Sequence, residues 1–396
     1  MEIINPNTYG DRNGFYQVGK RKTYLKTELM EWYDLMPTDW HWNYNDEFFG
    51  QFDWSKEPKE TINELYKQRA LELREQYDYL ALYYSGGHDS SNVLYAFLDN
   101  GIPIDEVVTY YSKYDDNNES FQSRELSQFT WHKIKKLKQL YPDLNIRILD
   151  YGDYYFQWEN IIKKYGYQDD QFAMFGSMLS INRLVQDEFY ELIPDWNKLI
   201  SSGKKFAWIF GADKPMLRYI DGRWIFNFHD GFIHCRQTPM RQLYDDGTRG
   251  TYEYFYWSPT DACQKVIRKQ CHLLVNHYNE QAKIDFSQIP GHKPFKPGYG
   301  WEMNTMTPSF VETIYPRLFR YDEKYYTEKT SKFIFGGRDQ WFFNSNHDSA
   351  IAHKKMWEGL NSVYHSHYNW LKNDGVNIEN GLKNCISNDY VIKNST

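Results

Sequence analysis

A chain of 396 residues, 41% hydrophobic and 25% charged, has an ordinary globular composition and room for two or three domains of ~100–200 residues each. A net charge of -7 argues against wholesale, sequence-independent binding of nucleic acid. No apolar run approaches the ~18 residues of a membrane helix, and the start at Met1 has no basic stretch followed by an apolar one, so a soluble cytoplasmic protein with no membrane partner is expected.

The four cysteines, Cys235, Cys263, Cys271 and Cys385, form no CxxC pair and so signal neither structural zinc nor a dithiol; their scarcity fits a reducing compartment. The 35 Tyr, 25 Phe and 14 Trp are spread over the whole chain, which favours aromatic packing in the core over a base-stacking platform.

Residues 1–58 read as an aromatic-rich extension of weak periodicity, with Asp39-Trp40-His41-Trp42-Asn43-Tyr44 as a loop or short cap. Thr61 and Glu64 fit a capping box, and Ile62, Tyr66, Ala70, Leu73 and Tyr77 form one helical stripe. Tyr79-Leu80-Ala81-Leu82-Tyr83-Tyr84 is almost wholly apolar, like a strand buried on both faces of a parallel sheet. It runs into Ser85-Gly86-Gly87-His88-Asp89-Ser90-Ser91, and Val93, Leu94, Phe97 and Leu98 then mark a helix stopped by Gly101 and Pro103.

A strand over 106–111, a long helix over about 119–140 and a strand over 145–149 follow, with helical stretches within 154–165 and 170–192. Phe206-Ala207-Trp208-Ile209-Phe210 is a further buried strand leading to Gly211-Ala212-Asp213-Lys214-Pro215, and Asp221-Gly222 is a hairpin turn signal. Ser258 and Pro259 open the clearest later helix, which extends to Tyr278. The succession predicts an α/β fold with a doubly wound, mainly parallel sheet over 59–235. Behind it, 236–396 reads as a mostly helical region and a candidate for substrate binding.

The loop 85–91 carries the chemistry. Two glycines after a buried strand let the backbone turn tightly and approach a ligand closely, and the following helix offers N–H groups and the positive end of its dipole. Hydroxyls of Ser85, Ser90 and Ser91 add donors, so the cup suits a phosphate; Asp89 would repel that anion unless Mg²⁺ lay between them. With no lysine, the loop is not a Walker A motif, and it matches neither GxGxxG nor GxSxG.

Ser85-Gly86-Gly87-His88-Asp89-Ser90 does resemble the SGGxDS signature of the PP-loop ATP pyrophosphatases, whose members include asparagine synthetase, GMP synthetase, tRNA-lysidine synthetase and the adenylyl-sulfate reductases. The resemblance covers about 60–230 and implies the adenine-nucleotide α-hydrolase-like sheet. It implies ATP and Mg²⁺ as cofactors, with Ser85, Gly86, Gly87, Ser90 and Ser91 on the β and γ phosphates and Asp89 on the metal. Thr109, Tyr110, Tyr111 and Ser112, at the end of the second strand, would lie near adenine or ribose. Gly211-Ala212-Asp213-Lys214 looks like the Gly-Ala-Asp-Glu segment of asparagine synthetase, which makes Asp213 a second metal carboxylate. Lys214 then serves as a cation in place of that family's glutamate, with Arg218 the weaker candidate for that charge.

Other signals are given their ordinary meaning. Lys133, Lys135, Lys136 and Lys138 read as a solvated face near a helix C-terminus, and Lys265, Lys269 and His272, which share a helix, read as a solvated face rather than one turned to the active site. The pairs His229/His234 and His365/His367 lack further ligands, Gly336-Gly337-Arg338-Asp339 lacks the serines, and His88 occupies the motif's variable position.

The first cysteine is Cys235, so no N-terminal glutaminase domain with a nucleophilic cysteine is expected, and Cys385 lacks the reductases' glutamate–cysteine–glycine setting. By elimination an AMP-forming amide or C–N ligase is expected, with a small-molecule acceptor and an amine donor as partners. The alternatives are a PP-loop enzyme that modifies a nucleobase in tRNA or DNA, an adenylyl-sulfate-reductase-like enzyme, and a non-catalytic nucleotide-binding adaptor.

Overall fold

The structure, a computed structural model, describes residues 14–23, 40–111, 130–150, 193–211, 215, 217–220, 222–228, 251–280, 312–318 and 387–394. The chain enters through an antiparallel sheet of β1 (Phe15–Val18), β2 (Arg21–Thr23) and β3 (Trp40–Asn43), ordered β2-β1-β3. The segment expected to be a loop or cap is thus partly a strand. Trp40 and Trp42 alternate with His41 and Asn43, the period-two pattern of a half-buried strand, and Trp42 is fully buried.

After the short helix α1 (Asp46–Phe49) comes α2 (Ile62–Gln76), which carries the expected capping box. The Glu64 N–H donates to Thr61 Oγ1 at 3.3 Å, and the Thr61 N–H donates to the Glu64 carboxylate at 2.8 Å. The alternation of strand and helix then proceeds through β4 (Tyr79–Tyr83), α3 (His88–Leu98), β5 (Glu106–Tyr111), α4 (Trp131–Leu140), β6 (Ile146–Asp150), α5 (Pro194–Ser201) and β7 (Phe206–Phe210). A hairpin follows, β8 (Leu217–Ile220) and β9 (Arg223–Phe226), turned at Gly222 with φ +74°. The last described elements are β10 (Thr251–Tyr254), α6 (Asp261–Glu280) and β11 (Tyr390–Asn394), the last pairing antiparallel with β9.

Five strands make one wholly parallel sheet in the order β10-β7-β4-β5-β6, so the α/β class and the parallel sheet expected from the apolar runs are present. Numbered along the chain and read from the β6 edge, these strands lie third, second, first, fourth and fifth across the sheet, and the order reverses between β4 and β7. Every residue of β7 is buried, and so are all but the first of β4.

The sheet draws on more chain than 59–235: β10 lies beyond that boundary and pairs with β7, while α6 packs against α2. Near the end of the N-terminal extension, Trp54 stacks on Tyr390 at 4.4 Å between ring centroids and on Phe226 at 5.2 Å. The described part of the C-terminal region holds strands as well as helix. Among the described residues no helix is long and apolar enough to cross a membrane.

Candidate functional site

In an open parallel sheet, the crevice for a ligand forms beyond the C-terminal strand ends where the strand order reverses. Here that place lies between β4 and β7, whose last residues, Tyr83 and Phe210, stand level in the ladder. Just beyond them begin the two segments singled out by motif, the loop 85–91 two residues after Tyr83 and Gly211 directly after Phe210. They are in contact. A Cβ on Gly211 would stand 3.0 Å from the Asp89 carbonyl carbon and from Ser90 Cα, so a bare backbone at this position lets the first turn of α3 rest on the end of β7.

The loop is shaped by α4, the helix of the next crossover. Gly86 has φ +73°, in the left-handed region that favours glycine, and a Cβ there would meet Thr130 Oγ1 at 2.7 Å. Thr130 Oγ1 donates to the Ser85 carbonyl at 2.6 Å, and the Lys133 ammonium donates to the Gly86 carbonyl. The Gly87 carbonyl accepts from the Ser91 N–H at 3.0 Å, and the Asp89 carbonyl accepts from the Tyr256 hydroxyl at 3.0 Å. These four carbonyl oxygens, which would repel an anion, are therefore engaged with donors of the protein itself. The first N–H groups of α3 have no acceptor within the helix, so the positive end of its dipole faces the loop. Ser85 Oγ lies 3.2 Å from Ser90 Oγ and accepts the Gly87 N–H at 3.2 Å.

Asp89, half-buried in the first turn of α3, is held from the C-terminal region. The Tyr315 hydroxyl donates to its Oδ1 at 2.6 Å. Burial, and after it the Asp89 charge, pushes the Tyr315 hydroxyl well above the usual tyrosine range, so it stays a neutral donor. Tyr315 belongs to a buried cluster with Tyr66 and Tyr256, the latter's ring 5.9 Å from its own, and Asn92 of α3 donates to the Tyr256 hydroxyl at 2.9 Å.

Thr109 is buried near the end of β5, the strand beside β4, and Tyr110 and Tyr111 continue it to the same edge of the sheet as the loop. Ser112, Asp213 and Lys214 lie outside the described residues, as do Cys235, Cys385, the histidine pairs and Gly336-Gly337-Arg338-Asp339. Of Arg218 only the backbone, in β8, is described.

Two solvated-face readings are corrected. Lys133 is buried, whereas Lys135 and Lys138 are exposed. Thr130, Lys133, Ile134 and Leu137 recur at helical spacing, so Lys133 stands on the apolar stripe of α4 and its head reaches the loop; that spacing was the available signal. Lys265 and Lys269 pair with Glu60 at 3.4 Å and Glu57 at 2.6 Å, and His272 Nε2 lies 3.0 Å from the Trp54 carbonyl. This face of α6 pins the chain entering α2 and is no part of the site. Tyr256 and Tyr315 were not anticipated, because nothing local in their sequence points across the fold to Asp89.

For Mg²⁺ the donor chemistry fits. A carboxylate offers about four lone-pair positions, and Tyr315 occupies one. Among the described residues no group of three or more His, Cys, Asp and Glu converges into a metal cage. A nucleotide-borne Mg²⁺ asks for only one or two carboxylates beside the phosphate oxygens, and Asp89 is the carboxylate of this loop.

Fold and site together describe an α/β protein with a glycine–serine loop at the reversal of its parallel sheet. Comparisons with protein-family models, with curated proteins and with solved structures find no match to this chain.

Proposed function

We propose that the chain is a PP-loop ATP pyrophosphatase, an AMP-forming ligase that adenylates a carboxyl or carbonyl oxygen of a small acceptor for attack by an amine. The observation that carries this reading is the position of the SGGxDS loop at the β4/β7 reversal, with its carbonyls tied back and Gly211 packed on the same turn.

In this reading Ser85, Ser90, Ser91 and the N-terminal amides of α3 hold the β and γ phosphates. Thr109, Tyr110, Tyr111 and Ser112 border the adenosine. Mg²⁺, held by Asp89 and, on the resemblance, Asp213, neutralises phosphate charge when bound. The acceptor oxygen attacks the α phosphorus and pyrophosphate leaves with the electron pair; the amine then attacks the adenylated carbon and AMP departs. The protein contributes positioning and charge rather than a covalent bond, and Lys214 is the candidate cation for the growing negative charge.

The nucleobase-modifying reading loses its main support, since the basic run on α4 is split by the burial of Lys133 and forms no continuous exposed stripe. The deciding experiment supplies α-labelled ATP and Mg²⁺ with amino acids and ammonia, or separately with tRNA or DNA. AMP and pyrophosphate formed with the first pool alone support the ligase; formation with nucleic acid moves the activity to a nucleobase. ADP and phosphate in every pool would overturn the PP-loop reading.

A further inference from the structure

Asp89 is the one residue of the loop that proteins with a plain phosphate cup do not need, and it is the one that the distant part of the chain holds most closely. Tyr315 donates to its carboxylate at 2.6 Å and Tyr256 donates to its carbonyl at 3.0 Å. Both tyrosines lie beyond the sheet's fourth strand in sequence and reach α3 only through the fold.

The segment that delivers Tyr315 is itself anchored at several points. Gln270 of α6 donates to the Tyr66 hydroxyl at 2.9 Å, and Tyr66 of α2 donates to the carbonyl of Ile314, the residue next to Tyr315, at 2.7 Å. Arg317 donates to the Asn63 carbonyl at 3.2 Å, and Thr313 Oγ1 lies 3.3 Å from His277 Nδ1. Tyr66, Gln270, Ile314 and Tyr315 are all fully buried. The tyrosine hydroxyl therefore arrives at Asp89 from a rigid support, which is the condition for a hydrogen bond to fix a carboxylate's rotamer.

We propose that Tyr315 is a positioning residue: its hydroxyl holds one oxygen of Asp89 so that the other is presented to the divalent cation of the bound nucleotide, making the 312–318 segment part of the nucleotide site. This rests on the PP-loop reading. It gives the C-terminal region a task at the phosphate end of the site, separate from any contact with the acceptor.

The test is nucleotide affinity, measured by calorimetry on the full chain with the non-cleavable α,β-methylene analogue of ATP, in Mn²⁺ and again in EDTA. Tyr315→Phe keeps the ring and removes only the hydroxyl; Tyr256→Phe removes the donor to the Asp89 carbonyl and leaves the carboxylate's donor in place. Losing a hydrogen bond to a charged acceptor predicts that Tyr315→Phe weakens binding in Mn²⁺ by about tenfold or more and leaves binding in EDTA unchanged. Tyr256→Phe should lose less of the Mn²⁺-dependent part.

Equal losses in Mn²⁺ and EDTA, equal effects of the two variants, or no effect of Tyr315→Phe would each overturn the inference while leaving the PP-loop reading standing. Wild-type protein that binds the analogue no better in Mn²⁺ than in EDTA would remove the metal-assisted reading, and this inference with it. Melting of both variants before ligand is added reports their folding. If Tyr315→Phe does not fold, the same titration of Asp89→Asn decides: an Mn²⁺-dependent part that survives the loss of the carboxylate overturns the role assigned to Tyr315.

Discussion

At the end of β4 the chain gathers glycines and small hydroxyls around a single carboxylate; between α2 and β10 it gathers full charges. There Arg69 pairs with Glu72 at 2.6 Å and with Glu253 at 2.9 Å, both Arg69 and Glu253 being fully buried. Tyr77 and Ser258 also donate to Glu253, and Thr260 donates to Glu72 at 3.0 Å. Both centres are polar and interior, yet they are finished differently. In the arginine cluster each charge faces partners within the fold, which is how a buried ion pair survives its desolvation. In the loop the carbonyls are engaged, the Ser85 and Ser90 hydroxyls lie 3.2 Å apart, and the first amides of α3 have no acceptor within the helix, which is the local pattern of an anion-binding turn. Satisfied charge marks structure, and on the proposed reading the loop's donors mark the site.

The comparison breaks most easily at Arg69. Arg69→Met leaves Glu253 as a buried carboxylate without its cation and should cost about 3–5 kcal/mol of stability, read from urea unfolding. Nucleotide affinity per folded molecule should not change. A variant that kept its stability and lost nucleotide binding would show that the cluster belongs to the site. Asp89→Asn should do the reverse. Its unfolding midpoint should stay near that of the wild type, while formation of AMP and pyrophosphate from α-labelled ATP should fall on the order of a hundred- to a thousandfold. Unchanged turnover would remove Asp89 from the chemistry.

Gly86→Ala falls between the two, because Gly86 is both a loop residue and a packing contact. The left-handed φ costs an alanine about 1–2 kcal/mol, and the added Cβ presses on Thr130 besides. Stability and nucleotide affinity should therefore fall together, measured by urea unfolding and by titration with the ATP analogue. Loss of affinity at full stability would mean that Thr130 gives way and the loop alone is distorted.

The same contrast explains what could be read from the chain. The parallel strands were legible because burial on both faces leaves a nearly unbroken apolar run, as in Phe206-Ala207-Trp208-Ile209-Phe210, and their observed limits follow those runs closely. The loop was legible because the left-handed turn at Gly86 demands glycine there. The strand β3 was missed although its Trp40 and Trp42 alternate, since a strand this short gives few turns of the pattern. Lys133 was misread because a lysine on an apolar stripe looks solvated until its stem is seen to lie buried with its head on Gly86. Tyr315 and the arginine cluster were beyond local reading altogether. Their partners are separated by as many as 226 positions, and tyrosine is too common in this chain for one to stand out.

The smallest effect concerns His272, which fastens α6 to the segment entering α2. Burial lowers its pKa below the usual histidine value of about 6.5, outweighing the favourable Trp54 carbonyl. The unfolded chain therefore takes up a proton at a higher pH than the folded one does. The stability this group contributes is complete above about pH 6.5 and drains away as the pH falls from there through the folded value. Glutamine at this position can still donate to the Trp54 carbonyl but cannot gain the charge. Unfolding free energies at pH 7.5 and 5.5 should thus differ more in the wild type than in His272→Gln, with metal-dependent nucleotide affinity equal in both proteins at pH 7.5. An acid slope identical in the two would place the proton uptake elsewhere; a change in affinity would bring this face of α6 into the site, from which its pairing with Glu57 and Glu60 separates it.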